Sequence, residues 1–229
     1  GCHVHKSPLN LEESIMMSCN AYYCYVLRDI LDNRKYASVA EGLDAWNSYV
    51  KSFGFGLKLG SDFPSELGGF VPDSKYYNRH YGKGGWKSLT VISLSIGQGE
   101  LGCTPLHLAN LCATVANRGY YYIPHIIKDS ENYKIDNKYR ERHYTKVDTI
   151  HFPKVINGMY RAVNSGYGSG GIAWRRCRVW RFAERRELRR IRVETTIRCS
   201  SASRREKTLR LLWPPMWRTA DLGRHGRLR

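Results

Sequence analysis

Leu94-Ser95-Ile96-Gly97-Gln98-Gly99, followed within a few residues by Thr104-Pro105-Leu106-His107-Leu108-Ala109, is the stretch on which the reading of this chain turns. Residues 89–96 alternate apolar side chains with Ser and Thr before reaching the glycine pair. Thr104 is placed to cap a helix expected over 104–117, and Pro105 suits its first turn. Leu108, Leu111, Cys112 and Val115 share one stripe of that helix, the face expected to be buried. Gly119 ends it, and 120–127, broken by Pro124, reads as a strand.

Upstream, 9–17 reads as a short helix with Glu12 and Glu13 favourably placed in its first turn. Ser18-Cys19-Asn20 interrupts it, and helical spacing resumes over 21–31. A third helix is expected over 39–53, presenting Leu43, Trp46, Tyr49 and Val50 on one face and stopping at Gly54. Residues 59–86, rich in Gly, Pro, Asp, Asn and Tyr, read as a long irregular loop of a kind that is often functional. Downstream, 153–163 is a last short helix and 164–171 a glycine-rich loop.

The chain has 229 residues, enough for one substantial core. No run of about twenty apolar residues occurs, so no membrane span is expected. Gly1-Cys2-His3-Val4-His5-Lys6 leads into Ser7-Pro8 without the apolar segment of a signal peptide. The net charge of +17 is unevenly spread: residues 174–229 carry 18 Lys and Arg against 5 Asp and Glu, a net +13, leaving +4 for 1–173. So abrupt a basic block points to a tail or to a different origin for that block. Seven cysteines, Cys2, Cys19, Cys24, Cys103, Cys112, Cys177 and Cys199, show no repeated spacing and no C-x-x-C pair, so no disulfide framework is expected. Cys2, His3 and His5 form the one tight soft-ligand cluster. A closed zinc site needs four ligands, so these residues are read as a surface loop, with no metal or cofactor expected.

Ser18-Cys19-Asn20 is short, and its plain reading is a turn, because Ser and Asn favour helix caps. Its chemical reading is a hydroxyl that relays a proton and an amide that binds a substrate carbonyl, both beside a serine nucleophile. The surroundings favour the second. Ser7-Pro8-Leu9-Asn10-Leu11, Ser14-Ile15 and Ser18-Cys19-Asn20-Ala21-Tyr22-Tyr23 resemble the stretch around the second active-site motif of class B penicillin-binding proteins. Leu94 to Gly99, Thr104-Pro105-Leu106, Leu108-Ala109 and Ala116-Asn117-Arg118-Gly119 resemble the segment that follows it there. Pro124 and the stretch from Ala162-Val163-Asn164 to Gly168 fit the same order, and the likeness is nearest to the elongation-type penicillin-binding protein 2 group. His107 stands where that family commonly has Gln.

The resemblance implies an α/β (α+β) chain with an incomplete β-lactamase/transpeptidase-like fold, mostly the helical subdomain plus part of the sheet. It implies a serine acyl-transferase that cross-links peptidoglycan stem peptides and is trapped by β-lactams. The family works with the cell-elongation machinery on the periplasmic face of the inner membrane, held by an N-terminal helix; no nucleic acid is expected as a partner. Ser18 and Asn20 are the catalytic residues that carry over. No Ser-x-x-Lys precedes Ser18, and Ser48-Tyr49-Val50-Lys51 fits the letters only from a later helix. Lys-Thr-Gly is absent too, since Lys207-Thr208-Leu209 lacks the glycine. The chain is therefore expected to be inactive as it stands.

The genetic code offers a reason. Trp174 to Phe182 permits TGG-CGG-CGG-TGC-CGG-GTT-TGG-AGG-TTT, which one base earlier contains Ala-Ala-Val-Pro-Gly-Leu-Glu-Val. Continued through Ala183 to Arg190, that frame permits Cys-Gly-Lys-Thr-Gly-Thr-Ala-Gln, the missing motif in family surroundings. Two parts are thus expected: 1–173, a partial transpeptidase domain, and 174–229, a frameshifted and disordered tail. The alternative is a non-enzymatic folded module with a basic nucleic-acid-binding tail.

Overall fold

The computed structural model describes Cys2 and residues 4–127, 134–166 and 168–169. His3, Cys177, Cys199, Lys207-Thr208-Leu209 and the whole expected tail lie outside the described residues. The chain mixes helix with a small antiparallel sheet, and helices dominate.

Helix α1 (Leu11–Met17) starts with a reciprocal cap: Asn10 Oδ1 accepts from the Glu13 N–H, and the Glu13 carboxylate accepts from the Asn10 N–H. It ends at Ser18, whose backbone is left-handed (φ 52°, ψ 50°) and whose N–H donates to the Ser14 and Ile15 carbonyls. Cys19 then caps α2 (Asn20–Leu31), its Sγ accepting from the Tyr22 N–H at 3.4 Å. The interruption expected at 18–20 is therefore a tight corner between two helices. α3 (Val39–Ser52) is capped by Ser38 and lies on α2.

The expected loop over 59–86 contains a helix, α4 (Ser74–Tyr81), and this is a correction. Its sequence, Ser-Lys-Tyr-Tyr-Asn-Arg-His-Tyr, has no apolar stripe, so hydrophobic periodicity passes over it. The start and stop signals were present: Asp73 caps it, Arg79 and His80 fill its last turn, and Gly82 follows. The Asp44 carboxylate ties it to α3 by accepting from both the N–H and the Oγ–H of Ser74.

The stretch in which apolar side chains alternate with Ser and Thr forms a 3-10 helix, Ser88–Ile96. Ser88, Val91 and Leu94 are its buried residues, a spacing of three that eclipses side chains on one ridge of such a helix. That ridge meets α2. Leu27, Leu31, Leu43, Tyr77, Trp86, Val91 and Leu94 form the core, drawn from α2, α3, α4 and the 3-10 helix.

Helix α5 (Pro105–Ala116) begins where expected but turns the other way. Its buried residues are His107, Asn110 and Thr114, whereas Leu108 is 49% exposed and Cys112 is exposed. The inward polar groups are satisfied by backbone. His107 Nε2 bonds the Leu57 carbonyl at 2.9 Å, Asn110 Nδ2 donates to the Phe53 carbonyl, and Thr114 Oγ1 donates to the Asn110 carbonyl. With Nε2 as donor, Nδ1 accepts from the Thr104 N–H at 3.1 Å, so His107 closes the capping box.

The strand expected over 120–127 is cut to β1 (Tyr120–Tyr121), paired with β2 (His143–Tyr144) in the register Tyr120–Tyr144 and Tyr121–His143. Beyond Pro124, the Asp62 carboxylate takes the N–H groups of Ile126 and Ile127, bonds a neighbouring strand would otherwise supply. Partial burial pushes the Asp62 carboxyl up, but those two N–H donors outweigh it and hold its pKa below 3.8. A carboxyl depressed on folding stabilises at neutral pH and loses that effect as pH falls through its folded value. The Ile126 and Ile127 amide signals should therefore titrate together with a midpoint below 3.8, and Asp62→Asn should abolish that transition in an NMR titration.

Helix α6 (Phe152–Asn164) returns to pack on α1. Gly158 makes the approach possible, since a Cβ there would stand 2.9 Å from Ile15 Cβ and 3.1 Å from the Glu12 carbonyl. Glu12 accepts from Asn157 Nδ2 and pairs with Arg161 at 3.6 Å. The Ser169 N–H then donates to the Met16 carbonyl at 2.9 Å, so the chain leaves the described region two residues from Ser18.

Candidate functional site

Ser18 and Asn20 sit on the α1–α2 corner and are both exposed. The corner is rigid for stated reasons: Ser14 is fully buried, its carbonyl accepts from the Cys19 N–H, and its Oγ donates to the Leu11 carbonyl and toward Tyr23 Oη. Ser18 and Asn20 line a cleft of about 230 Å³ with Tyr23, Ser95 and Ile96. Ser95 donates to the Ile92 carbonyl at 2.7 Å and contacts Cys24 Sγ at 3.3 Å, joining the 3-10 helix to α2 at this point. Two stretches more than seventy residues apart in sequence, the corner and the end of the 3-10 helix, thus line one cleft.

The glycine turn is fixed on its far side. A Cβ at Gly99 (φ +76°) would overlap Ser93 Oγ, and the next residue, Glu100, accepts from the buried Tyr77 hydroxyl at 2.7 Å. Burial, then the adjacent Glu100 carboxylate, raises the Tyr77 pKa, so the hydroxyl stays a donor. Tyr23 also keeps its proton, because burial pushes its pKa up. The cleft therefore offers neutral hydroxyls from Ser18, Tyr23 and Ser95 and one carboxamide. Such a set can pass a proton and hold a carbonyl, but it holds no nucleophile–base pair.

Sequence reasoning missed Tyr23 as a cleft residue, although its place one helical turn after Asn20 was a usable signal. It did set aside Ser48-Tyr49-Val50-Lys51, and Ser48 Oγ proves to accept from Lys146 Nζ at 2.9 Å on an exposed face away from the cleft.

The soft-ligand cluster differs from the one expected. Cys19, not a neighbour in sequence, joins Cys2 and His5, and two sulfurs and one imidazole nitrogen lie within 4.8 Å of one another. Cys2 Sγ stands 3.2 Å from His5 Nε2 and 3.6 Å from Cys19 Sγ. Desolvation raises the Cys2 thiol, but the His5 bond and backbone N–H groups of Ala21 and Asn20 outweigh it and bring the pKa to about 7. Burial pushes the Cys19 thiol up. The donor types suit a thiophilic divalent cation and would fill three positions of a four-coordinate site.

A sequence profile described as the penicillin binding protein transpeptidase domain matches residues 2–179. The chain belongs to the penicillin-binding protein transpeptidase family. Curated relatives include the peptidoglycan D,D-transpeptidase MrdA of Acinetobacter baumannii, 36% identical over 126 residues that make up 55% of this chain and 17% of that one. MrdA of Haemophilus influenzae is 30% identical over 139 residues, 58% of this chain and 21% of that one. The chain therefore spans about a fifth of the length of these relatives. Among solved structures, Pseudomonas aeruginosa PBP2 in complex with WCK 5153 superposes with a TM-score of 0.60 at 24% identity, over 74% of this chain and 36% of that one. The complex between PBP2 and MreC from Helicobacter pylori gives 0.57 at 22% identity, over 76% and 29%. The fold is thus a partial penicillin-binding transpeptidase fold, helical in most of what is described.

Proposed function

We propose that this chain is a piece of an elongation-type peptidoglycan D,D-transpeptidase and supplies one wall of its active cleft. Ser18 relays a proton, and Asn20 holds the amide carbonyl of the stem peptide. The nucleophilic Ser-x-x-Lys lies in sequence preceding Gly1, and the Lys-Thr-Gly strand lies in the frame one base before the one translated after Ala173. The single observation that carries this reading is the cleft, in which Ser18 and Asn20 meet Ser95 and Ile96. The family match covers residues 2–179, which takes in nearly all of the proposed partial domain.

On this reading residues 1–173 are the partial domain, and 174–229 are out of frame. The intact protein acts on peptidoglycan stem peptides, is acylated by β-lactams, and works on the periplasmic face of the inner membrane with the elongation machinery. A PBP2 relative is known bound to MreC, which supports partners of that kind. No described helix is long and apolar enough to cross a membrane. The rival reading, a basic nucleic-acid-binding tail, draws on no described residue.

Fluorescent penicillin tests it. The chain as it stands should show no covalent label after denaturation, and stoichiometric labelling would overturn the proposal. Extending the gene upstream and restoring the frame after codon 173 should give a labelled protein. Ser18→Ala in that protein should slow acylation by about 10²–10⁴-fold, the usual weight of a positioned proton-transfer group.

A further inference from the structure

The Cys2–Cys19 pair has a geometry that the proton-relay chemistry of the cleft does not use. The two sulfurs are 3.6 Å apart, so a shift of about 1.5 Å brings them to bonding distance of roughly 2.05 Å. Cys2 is exposed, lies in the segment leading to Ser7-Pro8, and can supply that movement. Cys19 is buried beneath it, as the residue between Ser18 and Asn20. An exposed thiol with a second, buried thiol in contact beneath it is the arrangement of attacking and resolving cysteines in dithiol exchange.

We propose that Cys2 and Cys19 form a reversible disulfide that clamps the N-terminal segment onto the Ser18–Asn20 corner. Cys2 thiolate attacks one sulfur of a low-molecular-weight disulfide and expels one thiolate. Cys19, losing its proton to solvent, attacks Cys2 Sγ in the mixed disulfide and expels the second. One protein S–S bond forms, two protein S–H bonds are lost, and the small disulfide is reduced to two thiols. His5 Nε2, 3.2 Å from Cys2 Sγ, is placed to take the first proton. Oxidation also changes the corner. Cys19 Sγ is the acceptor that caps α2 through the Tyr22 N–H, so a bond to Cys2 Sγ is made at the sulfur that holds the start of that helix. The consequence for Asn20 rests on the transpeptidase reading, whereas formation of the bond does not.

The experiment uses the whole chain in oxidised glutathione, followed by acid quench, alkylation in denaturant, proteolysis and mass spectrometry. The expected result is a peptide pair joined through Cys2 and Cys19, with both cysteines lost from the alkylated fraction and recovered after dithiothreitol. Cys103 and Cys112, both exposed, should acquire no partner among the described cysteines. Cys2→Ser, at an exposed position that leaves the fold intact, should abolish the linked pair and leave Cys19 alkylatable. Glutathione carried on Cys2 with Cys19 still alkylatable would overturn the proposal. So would a pair that oxidises only after a chelator has removed a bound cation, because the cluster would then be a metal site. A failed penicillin experiment leaves this result untouched.

Discussion

Tyr77→Ala is expected to destabilise the chain by about 4 kcal/mol, within the range for removing a large aromatic side chain from a packed interior. Tyr77 is completely buried, and its ring centroid lies 5.2 Å from those of Tyr76 and Trp86. Its contacts reach α2, α3 and the 3-10 helix through the shared core, so the gap cannot close by a local shift. The hydroxyl adds a further effect, because Glu100 loses its 2.7 Å donor and the Gly97-Gln98-Gly99 turn loses its tether. Against a total stability of about 5–15 kcal/mol for ordinary domains, such a loss leaves a large unfolded fraction. Tyr77→Phe separates the two contributions and should cost about 1–1.5 kcal/mol, since only the hydrogen bond goes. Urea titration followed by far-ultraviolet circular dichroism reads both. Equal losses for the two variants would mean that the Glu100 bond, not ring packing, holds this region together.

Gly158→Leu is expected to detach α6 from α1 while leaving the main core in place. In an open helix, replacing glycine by alanine gains up to about 1 kcal/mol in helix propensity. Here the first added carbon already meets Ile15 Cβ at 2.9 Å and the Glu12 carbonyl at 3.1 Å, and backbone cannot step aside cheaply. Gly158→Ala should therefore be neutral or slightly destabilising. Leucine should cost about 3 kcal/mol, the upper part of the range for overfilled contacts. The loss should be local. Hydrogen exchange should speed up across α1, Ser18 and α6, and the Glu12 pairings with Asn157 and Arg161 should be lost. Amides of α2 to α4, built around Leu31, Leu43 and Tyr77, should keep their protection. Uniform loss of protection would show that the two packing regions unfold as one unit.

What the sequence disclosed depended on how local its causes are. The α5 start was legible because Thr104 and Pro105 act on their own turn. The buried face of α5 was not, because His107, Asn110 and Thr114 find partners at Leu57, Phe53 and within the helix that only the folded chain supplies. α4 was hidden because one residue, Tyr77, carries most of its burial and composition outweighed its caps. The pairing of 120–127 was cut short by a carboxylate, Asp62, some sixty residues away. The same division holds at the site. Ser18 and Asn20 stood out by motif, but the arrival of Ser95 and Ile96 at the same cleft and the approach of Cys19 to Cys2 are products of packing.

The backbone of Ser18 has a consequence for how this corner tolerates change. A residue with a Cβ held at φ 52° carries a strain of roughly 1 kcal/mol that glycine would shed. Selection for heat resistance alone would thus drift toward glycine at 18, with asparagine the next easiest. Retention of a hydroxyl there would mark a position where chemistry outranks durability.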